Sequence, residues 1–319
     1  MTTSSLQRAW ADQHTVITDG GLETWLVFQK GIDLPAFAAY PLAATVDGRA
    51  LLSEYYENYA RIARDADVSV VLETPTWRAN PDWAATLGHD RDALAAHIAA
   101  AVEVVGEICR QWTGTQSFAI GGAVGPRGDG YRIDKLMDVA EATDYHSFQI
   151  EHMAAAGAHV ITGITIGYVD EAIGIARAAA AVGLPSVISF TVEIDGRLPS
   201  GMTLAEAIEI TDAETAGTDA TPVHYMINCA HPEHFEGVLD GSSPWAARIG
   251  GLRANASKLS HAELDEMTAL DDGDPEELAA AYVALRSKLP SLKVIGGCCG
   301  TDERHVAAIA AAWRSAATS

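Results

Sequence analysis

The stretch Val294–Thr301, with the sequence Val-Ile-Gly-Gly-Cys-Cys-Gly-Thr, carries two adjacent cysteines on a glycine-rich turn. A strand pattern over Leu292–Ile295 leads into this turn, and a helical pattern over Glu303–Ala316 follows it. Neighbouring Cα atoms lie about 3.8 Å apart, below the usual disulfide range, so the two cysteines are poor partners for each other. Glycine lets the backbone bend until both thiols face one soft metal ion. The stretch therefore predicts a strand, a metal-binding turn and a helix in succession.

A third cysteine ends another predicted strand. Cys229 directly follows the apolar run Val223–Asn228. Zinc sites need at least three protein ligands, and a catalytic zinc keeps one further position open. We therefore predict a catalytic Zn²⁺ bound by Cys229, Cys298 and Cys299, with a redox pair or plain core cysteines as the alternatives.

Two histidines follow Cys229 and are candidate metal ligands of a weaker kind. His231 and His234 flank Pro232, and proline is favoured in the first turn of a helix. We interpret both histidines as residues of that first turn.

Strand and helix patterns alternate along the whole chain, as at the cysteine turn. The strands are continuous apolar runs, which is typical of a parallel sheet covered on both faces. Eight such units in 319 residues predict a single (β/α)8 TIM-barrel domain over residues 1–319, with a core from about 15 to 316. An open doubly wound sheet is the alternative, but its glycine-rich nucleotide motif does not follow the first strand. The predicted strands are Thr15–Thr18, Val68–Leu72, Ser117–Ile120, His159–Thr162, Ser186–Phe190, Val223–Asn228, Arg248–Gly251 and Leu292–Ile295.

Reactive side chains follow several of these strands. Enzymes with this fold carry their chemistry at the carboxyl ends of the strands. Asp19 follows the first strand and Glu73 and Thr74 follow the second, while Asn228 precedes Cys229 at the end of the sixth. We predict that these side chains line one site together with the cysteines of the eighth strand.

Composition limits the partners and the setting of the protein. A net charge of −22 excludes nucleic acid and anionic membranes as partners, because both require a basic surface. No apolar run approaches the roughly 18 residues that span a bilayer, and the first residues lack a signal-peptide pattern. We expect a cytoplasmic enzyme with small-molecule partners. The oligomeric state is not readable from the sequence.

The motifs at the strand ends resemble those of the homocysteine S-methyltransferase family. The paired cysteines after an upstream Asn-Cys are highly specific, whereas Asp-Gly-Gly alone is a weak signal. The match runs from about residue 15 to the C-terminus. The matching segments are Asp19–Leu22, Glu73–Trp77, Gly125-Pro126, Asn228-Cys229 and Gly296–Thr301.

This resemblance implies a (β/α)8 barrel with zinc held by Cys229, Cys298 and Cys299. It implies methyl transfer from S-methylmethionine, S-adenosylmethionine or a betaine-type donor to homocysteine or a related thiol, giving methionine or a thioether. The chemistry is consistent, because a free thiol has a pKa near 8.5 and metal coordination deprotonates it. The alternatives are a zinc-binding barrel that acts on a different thiol, and a non-catalytic zinc-binding or interaction protein.

Three positions depart from the family pattern. Ile164 follows the fourth strand where the family has a glutamate that binds the homocysteine ammonium, and Glu23 and Trp25 replace a glycine and a glutamate. Either the acceptor is a thiol without an ammonium at that point, or an acid such as Asp19, Glu73 or Glu193 takes the role. We favour a modified acceptor pocket. The predicted substrate-binding residues are Asp19, Gly20, Gly21, Glu73, Thr74, Asn228 and Ile164.

Overall fold

The computed structural model describes residues 14–112 and 117–317. Eight parallel strands form a closed barrel in sequence order, and the eighth pairs with the first. The predicted (β/α)8 barrel is therefore confirmed. The strands are β1 Val16–Thr18, β2 Ser69–Glu73, β3 Phe118–Val124, β4 Val160–Ile166, β5 Ser186–Thr191, β6 Tyr225–Asn228, β7 Ile249–Ala254 and β8 Val294–Gly297.

One helix of the outer ring follows each strand. These are α1 Val46–Ala66, α2 Arg91–Gln111, α3 Val139–Ala156, α4 Val169–Ala181, α5 Leu204–Thr215, α6 Pro232–Phe235, α7 Pro275–Ala284 and α8 Glu303–Ala317. Shorter helical turns lie between them, including Leu22–Thr24 after β1 and His261–Asp265 after β7. Among the described residues, none of the helices has the length and apolar character needed to cross a bilayer.

Polar side chains set where several ring helices begin. Asp90 and Asp138 each accept a hydrogen bond from a backbone amide in the first turn of α2 and α3. Thr203 and Glu206 form a reciprocal capping box at the start of α5. Helix α3 ends at Gly157, whose φ of 104° lies in the left-handed region that glycine adopts without a steric penalty. These local signals agree with the predicted helix pattern.

A separate layer of buried apolar side chains fills the barrel interior near the amino ends of the strands. Almost every strand contributes one member. At β7 the corresponding space is taken by Met226, because a Cβ on Gly251 would come within 2.6 Å of Met226 Cγ. This layer closes the lower part of the barrel, so the carboxyl end is left for a site. Its members are Val16, Val71, Ala119, Val160, Val187, Met226 and Val294.

Several strands extend further toward their carboxyl ends than the sequence pattern predicted. Strand β3 continues through Gly121 and Gly122 to Val124, β7 continues to Ala254, and β8 continues to Gly297. Glycine is disfavoured in strands, so the sequence pattern ended at these residues. In a closed barrel each strand is paired on both sides, and this pairing stabilises glycine-containing segments that propensity alone would leave as loops.

Candidate active site

A cavity of about 430 Å³ opens at the carboxyl ends of the strands. Most of the predicted site residues line it: the three cysteines, Asp19, Gly20, Gly21, Glu73, Thr74 and Ile164. Asn228 is fully buried behind this wall rather than in it. The structure thus brings together residues that the sequence placed at five separate strand ends.

The three cysteines form the only group of His, Cys, Asp or Glu side chains within 14–112 and 117–317 with the spacing of a metal site. Their sulfurs lie within 4.8 Å of one another. Two of them, Cys229 and Cys298, are joined by a disulfide, and Cys299 is free. The sequence analysis did not predict this bond, although it correctly left the adjacent pair unbonded. The Cα atoms of Cys229 and Cys298 are 5.3 Å apart, inside the usual disulfide range.

The backbone around the cysteine turn is held by contacts to β1 and β7. The amide of Cys298 donates to the Ala254 carbonyl, and the Cys299 carbonyl accepts from the Ala256 amide. Gly300 has a φ of 79°, which turns the chain away after the two thiols. Gly21 packs so closely that a Cβ there would lie 2.5 Å from the Cys298 carbonyl oxygen. Glycine at this position therefore lets β1 approach the cysteine turn.

Asn228 braces the other side of the sulfur group. Its side-chain oxygen accepts from the Thr165 amide at 3.0 Å and from the Ser189 hydroxyl at 2.7 Å, and its amide nitrogen lies 3.8 Å from Cys298 Sγ. Cys229 and Thr165 both have a positive φ, 54° and 65°. Non-glycine residues in this region store strain and concentrate at functional sites. The buried amide of Asn228 holds Thr165 in this conformation through bonds to its amide and its hydroxyl.

The sulfur group fits zinc in its reduced form. A tetrahedral ion with Zn–S bonds near 2.3 Å spaces its sulfurs roughly 3.8 Å apart. Sulfurs that already lie within 4.8 Å need only small shifts once the disulfide is reduced to two thiols. Burial raises the pKa of the Cys299 thiol to about 11, and the charge of Glu23 adds to the effect. Metal coordination overcomes such a preference for the protonated thiol.

A buried arginine connects two of the predicted acids. Arg253 Nη2 lies 3.0 Å from Asp19 Oδ1, and Arg253 Nη1 lies 3.9 Å from Glu73 Oε1. Its Nε donates to the Gly297 carbonyl at 3.1 Å. All three charged side chains are at most 6 % exposed. We call Asp19, Glu73 and Arg253 the ion cluster. Arg253 was not among the predicted site residues, because the predicted seventh strand ended at Gly251. The signal that could have found it is an arginine two residues before Asn255, near the carboxyl end of a strand.

The two carboxyl groups of the ion cluster have raised pKa values. Burial raises the pKa of Glu73 to about 7, although the Arg253 charge acts in the opposite direction. Burial likewise raises the pKa of Asp19, and Arg253 again opposes it. Glu73 Oε1 accepts from the Thr162 hydroxyl at 2.9 Å, whereas Oε2 has no hydrogen-bond partner. Glu73 can therefore hold or release a proton near neutral pH.

This gives a testable pH dependence of stability. A carboxyl with a raised pKa binds its proton more tightly in the folded state, so its contribution is fully present below about pH 4.5 and is lost as the pH rises to about 7. We expect the free energy of unfolding of Glu73→Gln, relative to wild type, to increase between pH 5 and pH 8. Urea denaturation at both pH values measures it, and a constant or decreasing difference would contradict the prediction.

A second acid lies near the cysteines, and no salt bridge joins it to a cation in the described part of the chain. The partly buried Glu23 follows the Gly20-Gly21 turn and lines the cavity. Burial raises its pKa to about 7, and the neighbouring charge of Asp19 contributes to the rise. The same cavity is lined by the aromatic rings of Phe28, Phe37 and Trp77. An acid and aromatic rings together suit an organic cation.

The two histidines after Cys229 lie in the first turn of α6, as predicted. His231 caps the helix, with Nδ1 accepting from the Glu233 amide, and His234 Nε2 contacts the Lys258 carbonyl. Neither histidine belongs to the group of potential metal ligands.

Comparison with known proteins places this barrel in a family. The family model described as homocysteine S-methyltransferase matches residues 16–313. The chain belongs to the homocysteine S-methyltransferase family. Membership in this family makes the protein a methyltransferase by class, and the resemblance of its strand-end motifs is confirmed. No curated protein matches the chain at a significant level.

Solved structures of similar fold include the homocysteine methyltransferase MmuM from Escherichia coli. Its metallated form has a TM-score of 0.74 at 21% identity, covering 96% of this chain and 99% of that chain. Its oxidized form has a TM-score of 0.75 at 22% identity, covering 95% and 98%. Its apo form has a TM-score of 0.69 at 20% identity, covering 96% and 99%. At this sequence identity the likeness shows the fold alone.

Proposed function

We propose that this protein transfers a methyl group from a cationic donor to the sulfur of a small thiol, using zinc bound by Cys229, Cys298 and Cys299 in their reduced state. The observation that carries the proposal is the group of three sulfurs within 4.8 Å at the carboxyl end of the family barrel. When bound, zinc supplies the charge that converts the acceptor thiol to a thiolate. The donor is a sulfonium, S-methylmethionine or S-adenosylmethionine, or a betaine-type quaternary ammonium.

The balance of the reaction is simple. The acceptor thiol releases its proton to solvent, and its sulfur forms a bond to the methyl carbon. The bond from that carbon to the donor heteroatom breaks, and its electron pair stays on the donor, which leaves as a neutral thioether or a tertiary amine. The acceptor becomes a thioether. No oxidant or reductant is consumed.

The described residues have distinct tasks in this reaction. Asn228 and Thr165 are hydrogen-bonded to each other and contact the sulfurs of Cys298 and Cys229, so they help to position these sulfurs before substrate arrives. The cavity walls bring donor and acceptor together in line, and such positioning supplies a large part of the rate of bimolecular reactions. The negative charge of Glu23, which lines the cavity, attracts the cationic donor. This attraction ends when the methyl group leaves, because the donor centre loses its positive charge.

A panel assay tests the proposal. The reduced, zinc-loaded protein is incubated with each of the three donors and a set of small thiols, and the thioether product is measured. We expect at least one donor–thiol pair to turn over, and zinc removal by a chelator to abolish that turnover. If the protein binds zinc but methylates no thiol with any donor, it is instead a non-catalytic zinc protein and the proposed activity is wrong.

Glu23→Gln tests recognition of the donor. Glutamine keeps the size of the side chain but removes its charge, so we expect the KM for the donor to rise about tenfold, equivalent to about 1.4 kcal/mol, with a smaller change in the KM for the thiol. Initial rates at varied donor concentration measure this. Glu151→Gln is the matched control, because Glu151 lies on α3, is exposed and does not line the cavity. An unchanged donor KM in Glu23→Gln would exclude this role.

A further inference from the structure

We propose that the acceptor is a mercapto carboxylic acid without an α-ammonium group, and that Arg253 and Ile164 make this choice. The inference rests on the proposed function and names the substrate class of the same cavity. It is carried by the ion cluster and by the apolar wall beside it, both of which line the cavity.

Asp19 and Glu73 are the acids of the cavity that could bind an ammonium. Asp19 and Glu73 both face Arg253, at 3.0 Å and 3.9 Å. The guanidinium is part of the chain, it is 5 % exposed, and its Nε is also fixed by the Gly297 carbonyl. A substrate ammonium would have to share these two acids with a permanent cation in a buried site. The guanidinium already compensates one of the two carboxylate charges, and at this close range it repels a second cation because water screens buried charges little.

Ile164 makes one part of the cavity wall apolar. Ile164 is 8 % exposed, and its side chain lines the cavity at the end of β4. The neighbouring Trp77 donates its ring N–H to the Ile164 carbonyl at 3.0 Å, which fixes this part of the wall. An ammonium beside an isoleucine would lose its water without gaining a partner, and such desolvation is unfavourable. The wall therefore suits a methylene group in place of an amino-bearing carbon.

Two buried arginines of the cavity could bind a substrate carboxylate. Arg253 Nη1 and Arg78 Nε are buried nitrogens without a hydrogen-bond partner among residues 14–112 and 117–317, and both side chains line the cavity. Buried N–H groups are almost always paired, so unpaired donors on two side chains that line the cavity point to an acceptor group on a ligand. Arginine binds carboxylates with matched geometry. The contact of Arg253 Nη1 with Glu73 Oε1 is long, 3.9 Å, so Nη1 keeps the capacity to donate to a ligand carboxylate.

The experiment compares two thiols that differ by a single amino group. Homocysteine and 4-sulfanylbutanoate have the same chain length, thiol and carboxylate. We expect the kcat/KM for 4-sulfanylbutanoate to exceed that for homocysteine by at least about tenfold, with any donor that turns over. Equal values, or a higher value for homocysteine, would overturn the inference while leaving the methyl-transfer activity intact.

Binding of the products gives a readout that is independent of turnover. Calorimetry on the reduced, zinc-free protein compares methionine with 4-(methylsulfanyl)butanoate, the thioethers that the two thiols would yield. We expect the second to bind more tightly by a similar factor. This order of binding without any methyl transfer would mean that the pocket inference holds and the proposed function fails. Tighter binding of methionine would overturn the pocket inference.

A pair of variants separates charge from shape. Ile164→Glu adds a carboxylate to the apolar wall, and Ile164→Gln adds a neutral side chain of the same size. We expect the ratio of kcat/KM for homocysteine to that for 4-sulfanylbutanoate to rise at least about tenfold more in Ile164→Glu than in Ile164→Gln. Equal ratios in the two variants would show that charge at position 164 does not select the acceptor.

Discussion

Replacing Cys298 or Cys299 by serine is expected to remove zinc from the purified, reduced protein and to lower methyl transfer by at least about a thousandfold. Serine keeps the shape of the side chain but is a poor ligand for zinc, which three thiolates bind much better. In addition, each variant keeps only two of the three sulfurs that lie within 4.8 Å of one another. Zinc per chain by elemental analysis and thioether formation by chromatography measure the two effects.

The matched control is Cys109→Ser. Cys109 lies on α2, outside the cavity, and belongs to no group of potential ligands. We expect wild-type zinc content and activity in this variant. Zinc retained in full by Cys298→Ser and Cys299→Ser would contradict the three-cysteine site. Zinc lost in both variants with activity retained would contradict its catalytic role.

Oxidation and metal binding compete for the same sulfur atoms. The disulfide between Cys229 and Cys298 uses two of the three candidate ligands. This bond must therefore be reduced before all three sulfurs can bind zinc. Zinc measurements therefore need protein that has been reduced and kept from air. The sequence could not predict this bond, because the distance between Cys229 and Cys298 depends on how β6 and β8 close around the barrel.

Most of the barrel was predictable from local patterns. Continuous apolar strands and capped helices set the order of the elements, and the position of Asp19 and Glu73 after their strands set the end of the barrel that carries the site. The carboxyl ends of parallel strands share one edge, so polar residues there come close to the same cavity, although Asn228 lies behind its wall.

The pairing inside the cavity was not predictable in the same way. The sequence marked Asp19 and Glu73 as free acids that could bind an ammonium, whereas Arg253 lies against both of them. Arg253 is far from either acid in the chain and is opposite Gly296 in the β7–β8 pairing. Asp19, Glu73 and Arg253 meet only because β1, β2 and β7 belong to one closed barrel, and such a long-range contact is not visible in a local pattern. Ile164, in contrast, lines the cavity as predicted, although it lies within β4, which continues to Ile166, and not after the strand.

The ion cluster should also be a major determinant of stability. In Arg253→Met, Asp19 and Glu73 lose the only cation that a salt bridge joins to them within the described part of the chain. Breaking a buried pair by removing one partner costs about 3–5 kcal/mol, because the other charge stays buried without compensation. We expect an unfolding free energy lower by that amount at pH 8. The matched control is Arg49→Met, whose partly exposed pairs with Glu103 and Glu107 are expected to contribute below about 1 kcal/mol.

The pH dependence and a double-mutant cycle give this prediction its sharpest test. Without Arg253 the pKa values of Asp19 and Glu73 rise further, so the carboxyl groups bind protons more readily in the folded state and the cost of the substitution falls at pH 5.5. For the same reason, Arg253→Met should cost less in a Glu73→Gln background than in wild type, since one of the two uncompensated charges is then absent. Urea denaturation of the four proteins at both pH values measures this coupling. If the cost of Arg253→Met is independent of both pH and Glu73, the arginine stabilises the barrel through packing of its side chain, and the acids of the cavity are not held by its charge.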